Sequence, residues 1–442
     1  MSLASIQQLM STGGQDAFLT ENPQATPWRF SHMRSTAFAV DNAVLDITGS
    51  SKTGASSVTN INREGDLITS LYVCFRLPGI DGGEYVPRVG QQLIERISIL
   101  IGQQCIDELT SEYLFMWDAL SGQAGKNLGE MIGHNPSDST DLDDLSSRRA
   151  RNLYVPIPFW FSSNCAGGIT GNALPLISLQ FHQVTLKLQL KSIKDVVVGE
   201  DGEEVSVVQP ISEIGMPGGF PAAGKGGALS DQDCECYYEI GYVYLSEEER
   251  ARFANLNAEV LIKQTQRMSK VVTNQQSVQH RLYFNHPVTQ LIWGASRSDK
   301  AHGFDFKGRT QAGESLDNIA NVQLKFNNHS RFNMGGNCNS NGGVPSAYFR
   351  TVTPHMAHSR IPDAQGAGEH VYTYPFSLNP ENWSSPSGSC NFSRVDNAVL
   401  EMQYDRASNG GDADITHETH VFANNYNIIS YKQGMAGLSF SN

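Results

Sequence analysis

This sequence has little charge, and positive charge is the scarcer kind. Only 17% of its 442 residues are charged, and 45 Asp and Glu outnumber 32 Lys and Arg, which gives a net charge of −13. A surface that binds nucleic acid needs clustered Lys and Arg side chains facing the phosphates. We therefore expect no direct contact with nucleic acid. We expect much of the surface to be neutral and polar or packed against other protein.

Paired cysteines and long apolar runs are also missing. The seven Cys residues are scattered, without a Cys-x-x-Cys pair, which favours a reducing compartment over a fold held together by disulfides. No stretch approaches the roughly 18 apolar residues of a membrane-spanning helix. The N-terminus lacks the basic start and the apolar segment of a signal peptide. We therefore expect neither a signal peptide nor a helical membrane anchor.

Motifs for catalysis or cofactor binding are incomplete. The segment Gly219–Lys225 is similar to a phosphate-binding loop, but Gly follows it where Ser or Thr should hold Mg²⁺. Two histidine pairs, His355 with His358 and His417 with His420, lack the His-Glu-x-x-His pattern of a zinc site. We interpret both pairs as parts of solvated loops. The sequence therefore predicts no catalytic residue, no bound cofactor and no metal site.

What the sequence does contain is a repeated set of strand-like phrases. Four phrases in the first half are followed, in the same order, by four matching ones: Leu71–Phe75 with Leu291–Ala295, Ile97–Gln103 with Val322–Asn328, Phe181–Leu188 with Val395–Met402, and Gly241–Ser246 with Asn425–Ser430. The offsets are 220 (71 to 291), 225 (101 to 326), 214 (184 to 398) and 184 (242 to 426). The smaller last offset predicts a long loop at 192–233. The order indicates two tandem copies of one β-domain, as a chain of this length allows.

Alternating apolar and polar residues predict the strands. Val, Leu, Leu and Leu alternate with polar residues over 184–191, and the pattern recurs at 322–326 and 398–404. Helices are expected at 3–10, 110–120 and 246–254. Short strands, long loops and little helix predict an all-β fold of two tandem jelly-roll β-sandwiches with a few short helices.

Three sequons make Asn328, Asn382 and Asn391 candidate glycosylation sites. Asn135 also has a Ser two residues later, but the residue between them is Pro, which blocks modification. Asn328 follows a predicted strand at a turn, so we expect it to be the most accessible of the three. Glycosylation of any of them is a hypothesis.

Seven phrases along the chain carry a family resemblance. The two most specific are Pro386–Asn397, with its Cys-Asn-Phe-Ser-Arg run, and the C-terminal segment Asn425–Asn442. The supporting phrases are Gly14–Gln24, Arg63–Thr69, Ile101–Asp107, Ala173–His182 and Tyr374–Pro380. Together they resemble the major capsid proteins of nucleocytoplasmic large DNA viruses. The resemblance runs from residue 14 to the end of the sequence.

The resemblance implies a structural protein and not an enzyme, with two eight-stranded jelly rolls in each chain. From the repeat we expect an N-terminal arm at 1–26, a first jelly roll at 27–245, a helical connector at 246–258 and a second jelly roll at 259–442. We expect the connector to be buried against both jelly rolls, with Glu247–Glu249 outermost. Three chains would form a pseudo-hexagonal homotrimeric capsomer, because three copies of two similar domains present six similar edges, and capsomers would tile an icosahedral shell.

The implied partners are further copies of the chain, minor capsid proteins and internal membrane proteins beneath the shell. The implied location is the virion, with assembly in the host cytoplasm. Residues 27–34 depart from the family's usual phrase, so contacts of that segment are the least transferable. Three alternatives stay open: a minor capsid paralogue, a hydrolase on the same fold, and a carbohydrate-binding β-sandwich in which Tyr348, Phe349 or Trp383 stacks on sugar rings.

Overall fold

The computed structural model describes residues 3–11, 13–14, 16, 20–24, 26, 28, 34–122, 128–133, 150–162, 172–199, 205–211, 227–273, 277–297, 303–309, 315–332, 343–362, 370–383, 385–404 and 416–440. The chain divides into two units, Met1–Ala37 and Phe38–Asn442. The first unit contains helix α1, Leu3–Met10, whose side chains are all exposed. The helix predicted at 3–10 is therefore confirmed.

The first sandwich is built from residues 38–245. Its strands are β1 Phe38–Asp46, β2 Ser56–Asn60, β3 Leu67–Leu77, β4 Gly79–Asp81, β5 Gly83–Tyr85, β6 Ile94–Ile101, β7 Gln104–Thr110, β8 Arg151–Pro156, β9 Leu174–Pro175, β10 Val184–Leu190, β11 Val197–Gly199, β12 Ser206–Gln209 and β13 Glu235–Leu245. Its helices are α2 Val89–Leu93, α3 Ser111–Leu120 and α4 Gly129–Ile132. Two antiparallel sheets, ordered β1–β13–β3–β8 and β2–β10–β6–β7, make an eight-stranded jelly roll.

Helix α5, Glu247–Ala254, leads into the second sandwich. Its strands are β14 Ala258–Thr273, β15 Ser277–Arg281, β16 Pro287–Arg297, β17 Lys307–Arg309, β18 Ser315–Asp317, β19 Ile319–Phe326, β20 His329–Ser330, β21 Val344–Pro345, β22 Tyr372–Pro375, β23 Cys390–Asn391, β24 Ala398–Tyr404, β25 Thr416–Lys432 and β26 Met435–Leu438, and helix α6 is Thr353–Ala357. The sheets are ordered β14–β25–β16–β22 and β15–β24–β19–β20. This is the strand order of the first sandwich, so the predicted double jelly roll is confirmed.

The alternation in sequence produces the two-faced strands. In β10 the side chains of Val184, Leu186, Leu188 and Leu190 are buried, whereas the intervening polar ones are exposed or half-buried. In β24 the same positions bury Ala398, Leu400, Met402 and Tyr404. Burying one face of each sheet between the layers drives the sandwich to form.

The two jelly rolls match in register as well as in strand order. Ile101 of β6 pairs with Val184 of β10, and Phe326 of β19 pairs with Ala398 of β24, as the sequence offsets of 225 and 214 predict. The internal repeat is therefore visible in the hydrogen-bonded ladders and not only in the composition of the strands.

A β-bulge recurs at one position of both jelly rolls. It leaves Thr69 unpaired in β3 and Thr289 unpaired in β16. The Thr69 hydroxyl donates to the carbonyl oxygen of Gly241 (3.5 Å), and the Thr289 hydroxyl donates to that of Asn424 (3.0 Å). Gly241 thus corresponds to Asn424, an offset of 183 (241 to 424), so the sequence alignment of the last phrases was wrong by one residue.

Two sequence expectations about connections need correction. The long connection predicted at 192–233 lies between β10 and β13, but it contains two short strands, because β11 pairs with β5 and β12 pairs with β4. The connector helix α5 has no buried side chain, although we expected it to be buried against both jelly rolls. Its sequence, Glu-Glu-Glu-Arg-Ala-Arg-Phe-Ala, offers a single large apolar side chain, which is too little to form a buried face.

The apolar cores divide unevenly between the two jelly rolls. One cluster lies wholly within the second jelly roll, around Trp293 and Leu400. The other fills the first jelly roll and continues into residues of the second, including Ile262, Phe304 and Phe422. The two sandwiches therefore share a continuous apolar interface.

Candidate functional site: the interface between the jelly rolls

Helix α3 supplies the apolar centre of the interface. This helix connects β7 to β8, and the Phe115 ring stacks on Phe304 with 4.8 Å between ring centroids. The Tyr113 ring meets Phe422 edge to face at 5.4 Å. Buried aromatic pairs of this kind add to the burial of apolar area. The helix that leaves the first jelly roll is thus embedded in the sheet surface of the second.

A buried lysine lies among aromatic rings at the edge of this contact. Lys263 projects from β14, and its Nζ lies 3.6 Å from the centroid of Trp117 and 3.8 Å from that of Trp383. A cation over an aromatic face is attracted by the ring quadrupole, and the attraction strengthens when water is excluded. Lys263 therefore joins α3 to the second jelly roll by charge as well as by packing.

The buried carboxyl group of Asp107, in the middle of β7, lies near this lysine. Its Oδ1 accepts hydrogen bonds from the backbone N–H groups of Thr265 (3.0 Å) and Glu108 (3.0 Å). Burial raises the pKa of Asp107 to about 7, although these hydrogen bonds and the charge of Lys263 oppose the rise. The interface therefore contains an acid that titrates near neutral pH.

Amide side chains of β25 complete the polar contacts. The Tyr113 hydroxyl donates to Asn424 Oδ1 (3.0 Å), and the Gln264 amide donates to the carbonyl oxygen of Ile106. Asn427 Nδ2 in turn donates to Gln264 Oε1 (2.8 Å). Asn427 belongs to the C-terminal phrase that carries the family resemblance, so part of that phrase serves to join the two domains.

The C-terminal strand β26 also binds the first jelly roll. The N–H of Phe181 donates to the carbonyl oxygen of Gly434 (3.0 Å), and the N–H of Leu438 donates to Gln104 Oε1 (3.2 Å). His182 Nδ1 lies 2.9 Å from the carbonyl oxygen of Ala436. These contacts give the Gly-Met-Ala-Gly-Leu run a structural role.

The histidine pairs do not form the solvated loops we expected. His417 and His420 are buried in β25, where they pack against Tyr404 and Phe306 respectively. His355 lies in α6 and is exposed, while the side chain of His358 is buried. The polar residues of β25 made this segment look like a solvated loop in the sequence. In the structure it is a strand whose polar face is covered by protein.

A metal or phosphate site finds no support in the described part of the chain. No group of three or more His, Cys, Asp or Glu residues there could hold a metal ion. The segment Gly219–Lys225 lies outside the described residues. No helix among those described is long and apolar enough to cross a membrane.

The cysteines within the described ranges are free thiols: Cys74, Cys105, Cys234, Cys236 and Cys390. Cys74 is buried in β3, as expected for a small core residue, and burial raises the pKa of its thiol to about 12. A thiol with so high a pKa is protonated at neutral pH and unreactive.

The sequons lie on the surface. Asn328 is exposed in the turn between β19 and β20, with φ of 66°. Asn391 is exposed, but its Oδ1 accepts the N–H of Ser393 (3.0 Å). Asn382 is exposed, and Ser384 of its sequon lies outside the described residues. Accessibility is therefore compatible with modification at Asn328, which stays a prediction.

The aromatic residues considered for sugar stacking are largely inside the protein. Phe349 and Trp383 are buried and Tyr348 is half-buried. Trp383 faces Lys263 and Trp117 at the interface. These rings therefore stabilise the double sandwich and present little flat surface to a sugar.

Comparison with known proteins decides the family. The model described as "Major capsid protein N-terminus" matches residues 26–246, and that described as "Large eukaryotic DNA virus major capsid protein" matches residues 249–437. The chain belongs to the major capsid protein family of large eukaryotic DNA viruses. The interface residues Asp107 and Lys263 were not predicted, because each is a single polar residue within a strand and belongs to no catalytic or metal-binding motif.

Relatives in this family match over nearly their full length. The major capsid protein of Pyramimonas orientalis virus is 30% identical over 459 residues, and the match covers 99% of each chain. That of Paramecium bursaria Chlorella virus 1 is 29% identical over 486 residues, again with 99% of each chain covered. A chain of the PBCV-1 virus capsid has 26% identity and a TM-score of 0.72, covering 94% of this chain and 100% of that one. The chain is thus a capsid protein of a large DNA virus, and its place is the virion capsid.

Proposed function

We propose that this capsid protein forms homotrimeric capsomers with a pseudo-hexagonal outline, which tile an icosahedral shell. The observation that carries the proposal is the repeat of strand order, register and bulge between the two jelly rolls. Three chains then supply six similar domains, and six similar edges suit a hexagonal lattice. The buried interface supports this, because it fixes the two domains of each chain to one another.

The chain's role in the shell is burial of surface and not chemistry. We propose that it is not an enzyme, that its partners are other copies, minor capsid proteins and internal membrane proteins, and that assembly takes place in the host cytoplasm. The net charge of −13 supports the absence of direct nucleic-acid contact. We retain the division into an arm at 1–26, jelly rolls at 27–245 and 259–442, and a connector at 246–258.

Light scattering during gel filtration, followed by negative-stain imaging of the same peak, tests the capsomer. We expect a mass near three times 48.4 kDa and hexagonal outlines. A monodisperse monomer without hexagonal outlines would contradict the proposal. The copy number per virion would decide whether this chain is the principal capsid protein or a minor paralogue. A glycan array without binding above background would contradict the carbohydrate-binding alternative.

Glycosylation at Asn328, Asn382 or Asn391 is tested by intact mass. A modified chain would exceed the sequence mass by the mass of its glycans. A mass equal to that of the sequence would rule out modification in that preparation.

A further inference from the structure

The internal repeat assigns each residue of β1 an equivalent in β14. Val40 of β1 pairs with Val243, and Lys263 of β14 pairs with Tyr426. Val243 and Tyr426 are equivalent, because each lies two residues after the shared bulge position. Val40 therefore corresponds to Lys263. By the same count, Phe38, Asn42 and Val44 correspond to Leu261, Thr265 and Arg267.

The β14 face that contains these residues is partly covered within the chain, most fully at Lys263, which is buried. Lys263 contacts Trp117, the N–H of Thr265 donates to Asp107, and Arg267 lies 3.9 Å from Glu112. All three partners belong to β7 or to α3, which follows it directly. The outer face of the second jelly roll at β14 is thus the surface on which the first jelly roll docks.

The equivalent face of β1 has no cover from the residues that the structure describes. Val40 is 56% exposed and Val44 is 62% exposed, and Phe38 beside them is exposed as well. On the opposite face of the same strand, Ala43 and Leu45 pack against the core. A long edge strand with an exposed apolar face favours association with another chain.

The chain also has one helical connection that repeats the position of α3. In the first jelly roll α3 connects β7 to β8, and in the second the helical segment Tyr348–Ala357 lies between β20 and β22. Met356 in this segment is 71% exposed, and Val352 is exposed beside it. One chain therefore carries an uncovered docking face on its first jelly roll and an unused docking helix on its second.

We propose that the outer face of β1, formed by Phe38, Val40, Asn42 and Val44, binds the helical segment Tyr348–Ala357 of a second copy of this chain. The contact repeats between chains the docking of α3 on β14 within a chain. It joins unlike surfaces of two copies, so successive contacts can close into a ring. The proposal rests on the proposed trimer, for which it names the residues at the subunit contact.

The chemistry of the β1 face suits a copy of the chain better than a charged partner. None of its four outward residues is charged, and Asn42 Nδ2 donates to Glu239 Oε1 (3.1 Å) on the neighbouring strand. Two chains of net charge −13 repel one another, so a contact made by apolar side chains avoids adding to that repulsion.

The test is light scattering of the full chain with a charge placed in this face. We expect Val40→Asp to weaken trimer association at least about tenfold, since a carboxylate would be buried without a partner. Val58→Asp is the matched control, because Val58 is 50% exposed on edge strand β2 of the other sheet, opposite Lys187. It should leave the trimer unchanged. Thermal unfolding of both variants checks that each has folded.

Met356→Asp tests the other side of the contact and should weaken association to a similar extent. A second measurement avoids buried charge altogether. Chains with Val40→Cys and chains with Met356→Cys, both in a Cys105→Ser background, are mixed and treated with a short thiol cross-linker. We expect cross-linked dimers in the mixture and far fewer in either variant alone.

The outcomes separate this inference from the trimer itself. A wild-type trimer that survives both Asp substitutions, without enriched cross-linking in the mixture, would overturn this contact and leave the trimer standing. A wild-type protein that is monomeric at every concentration would overturn the trimer and this contact together. A trimer lost with Val40→Asp and Met356→Asp, but kept with Val58→Asp, is the result expected.

Discussion

At the scale of single residues, the interface between the jelly rolls places an acid and a base where water is scarce. Asp107 and Lys263 are both buried, and each is held by groups of the other domain. Ionised groups are costly to bury unless hydrogen bonds and opposite charge compensate them. The two residues therefore make the stability of the double sandwich sensitive to pH and to substitution.

We predict that Asp107→Asn changes the pH dependence of unfolding. The pKa of Asp107 is about 7 in the folded protein because of burial, against about 4 in an unfolded chain. Between these values the folded state holds a proton that the unfolded chain has released. The contribution of Asp107 to the free energy of unfolding therefore falls as the pH rises from about 4 to about 7.

The measurement is urea unfolding of the wild type and the variant at pH 5 and pH 8. Asn keeps the oxygen that accepts from Thr265 and Glu108 but does not ionise. On going from pH 5 to pH 8, the free energy of unfolding of the variant should rise by on the order of 1–3 kcal/mol relative to that of the wild type. A difference that stays constant with pH would show that Asp107 titrates outside this range.

We predict that Lys263→Met destabilises the protein by about 1–3 kcal/mol at pH 8, because the ring contacts of Nζ are lost and Asp107 loses a nearby positive charge. Met fills most of the volume, so a cavity does not explain the loss. The control is Lys432→Met, which breaks an exposed pair with Glu259 (3.3 Å) and should cost less than about 1 kcal/mol. Equal unfolding midpoints for the two variants would contradict this role for Lys263.

At the scale of elements, tight turns fix how the last strands meet the first jelly roll. Gln433 and Gly434 form the two-residue turn between β25 and β26, both with positive φ (52° and 78°). Such turns fit the twist of a hairpin and favour Gly. A Cβ on Gly434 would lie 2.9 Å from Cδ2 of Phe181. The turn therefore needs Gly both for its backbone and for the contact with the first jelly roll.

We predict that Gly434→Ala lowers the free energy of unfolding by about 1 kcal/mol more than Gly49→Ala does. Gly49 also has a positive φ (98°), but nothing lies within 4 Å of a Cβ there, so it measures the backbone strain alone. The excess at position 434 reports the displaced Phe181 ring. Thermal unfolding of both variants gives the comparison, and equal losses would mean that the ring moves aside freely.

The elements also show how far the sequence could predict this structure. Alternation identified β10, β19 and β24, because each buries mainly one face within its own domain. It could not identify the interface, since Lys263 looks like a polar position of an ordinary strand and is buried against Trp117 of the first jelly roll, which is distant in sequence. The error of one residue in β25 came from matching Tyr242 with Tyr426 by residue type, whereas the pairing around the shared bulge makes Asn425 the equivalent of Tyr242.

At the scale of the whole molecule, the larger apolar cluster extends from the first jelly roll into the second, and the N-terminal residues 1–37 form a compact unit of their own. The double sandwich contains all the contacts that the trimer proposal uses: the covered face at β14, the open face at β1 and the helical segment Tyr348–Ala357. Trimer formation should then depend on residues after 37. We therefore expect the N-terminal unit to act in the assembly of capsomers into the lattice.

We predict that deletion of residues 1–26 leaves the trimer intact and impairs assembly of the shell. Light scattering should give the wild-type mass, less three arms, while electron microscopy of shells formed in infected cells should show poor incorporation of the deleted chain.

Ile6→Asp is a milder variant that keeps the arm's length but places a charge on the apolar side of α1, beside the exposed Leu3, Leu9 and Met10. If the apolar side of α1 makes the lattice contact, Ile6→Asp should reproduce the deletion. If only the length of the arm matters, this variant should assemble normally. Loss of the trimer on deletion would contradict the division of labour, because it would place a subunit contact within the arm.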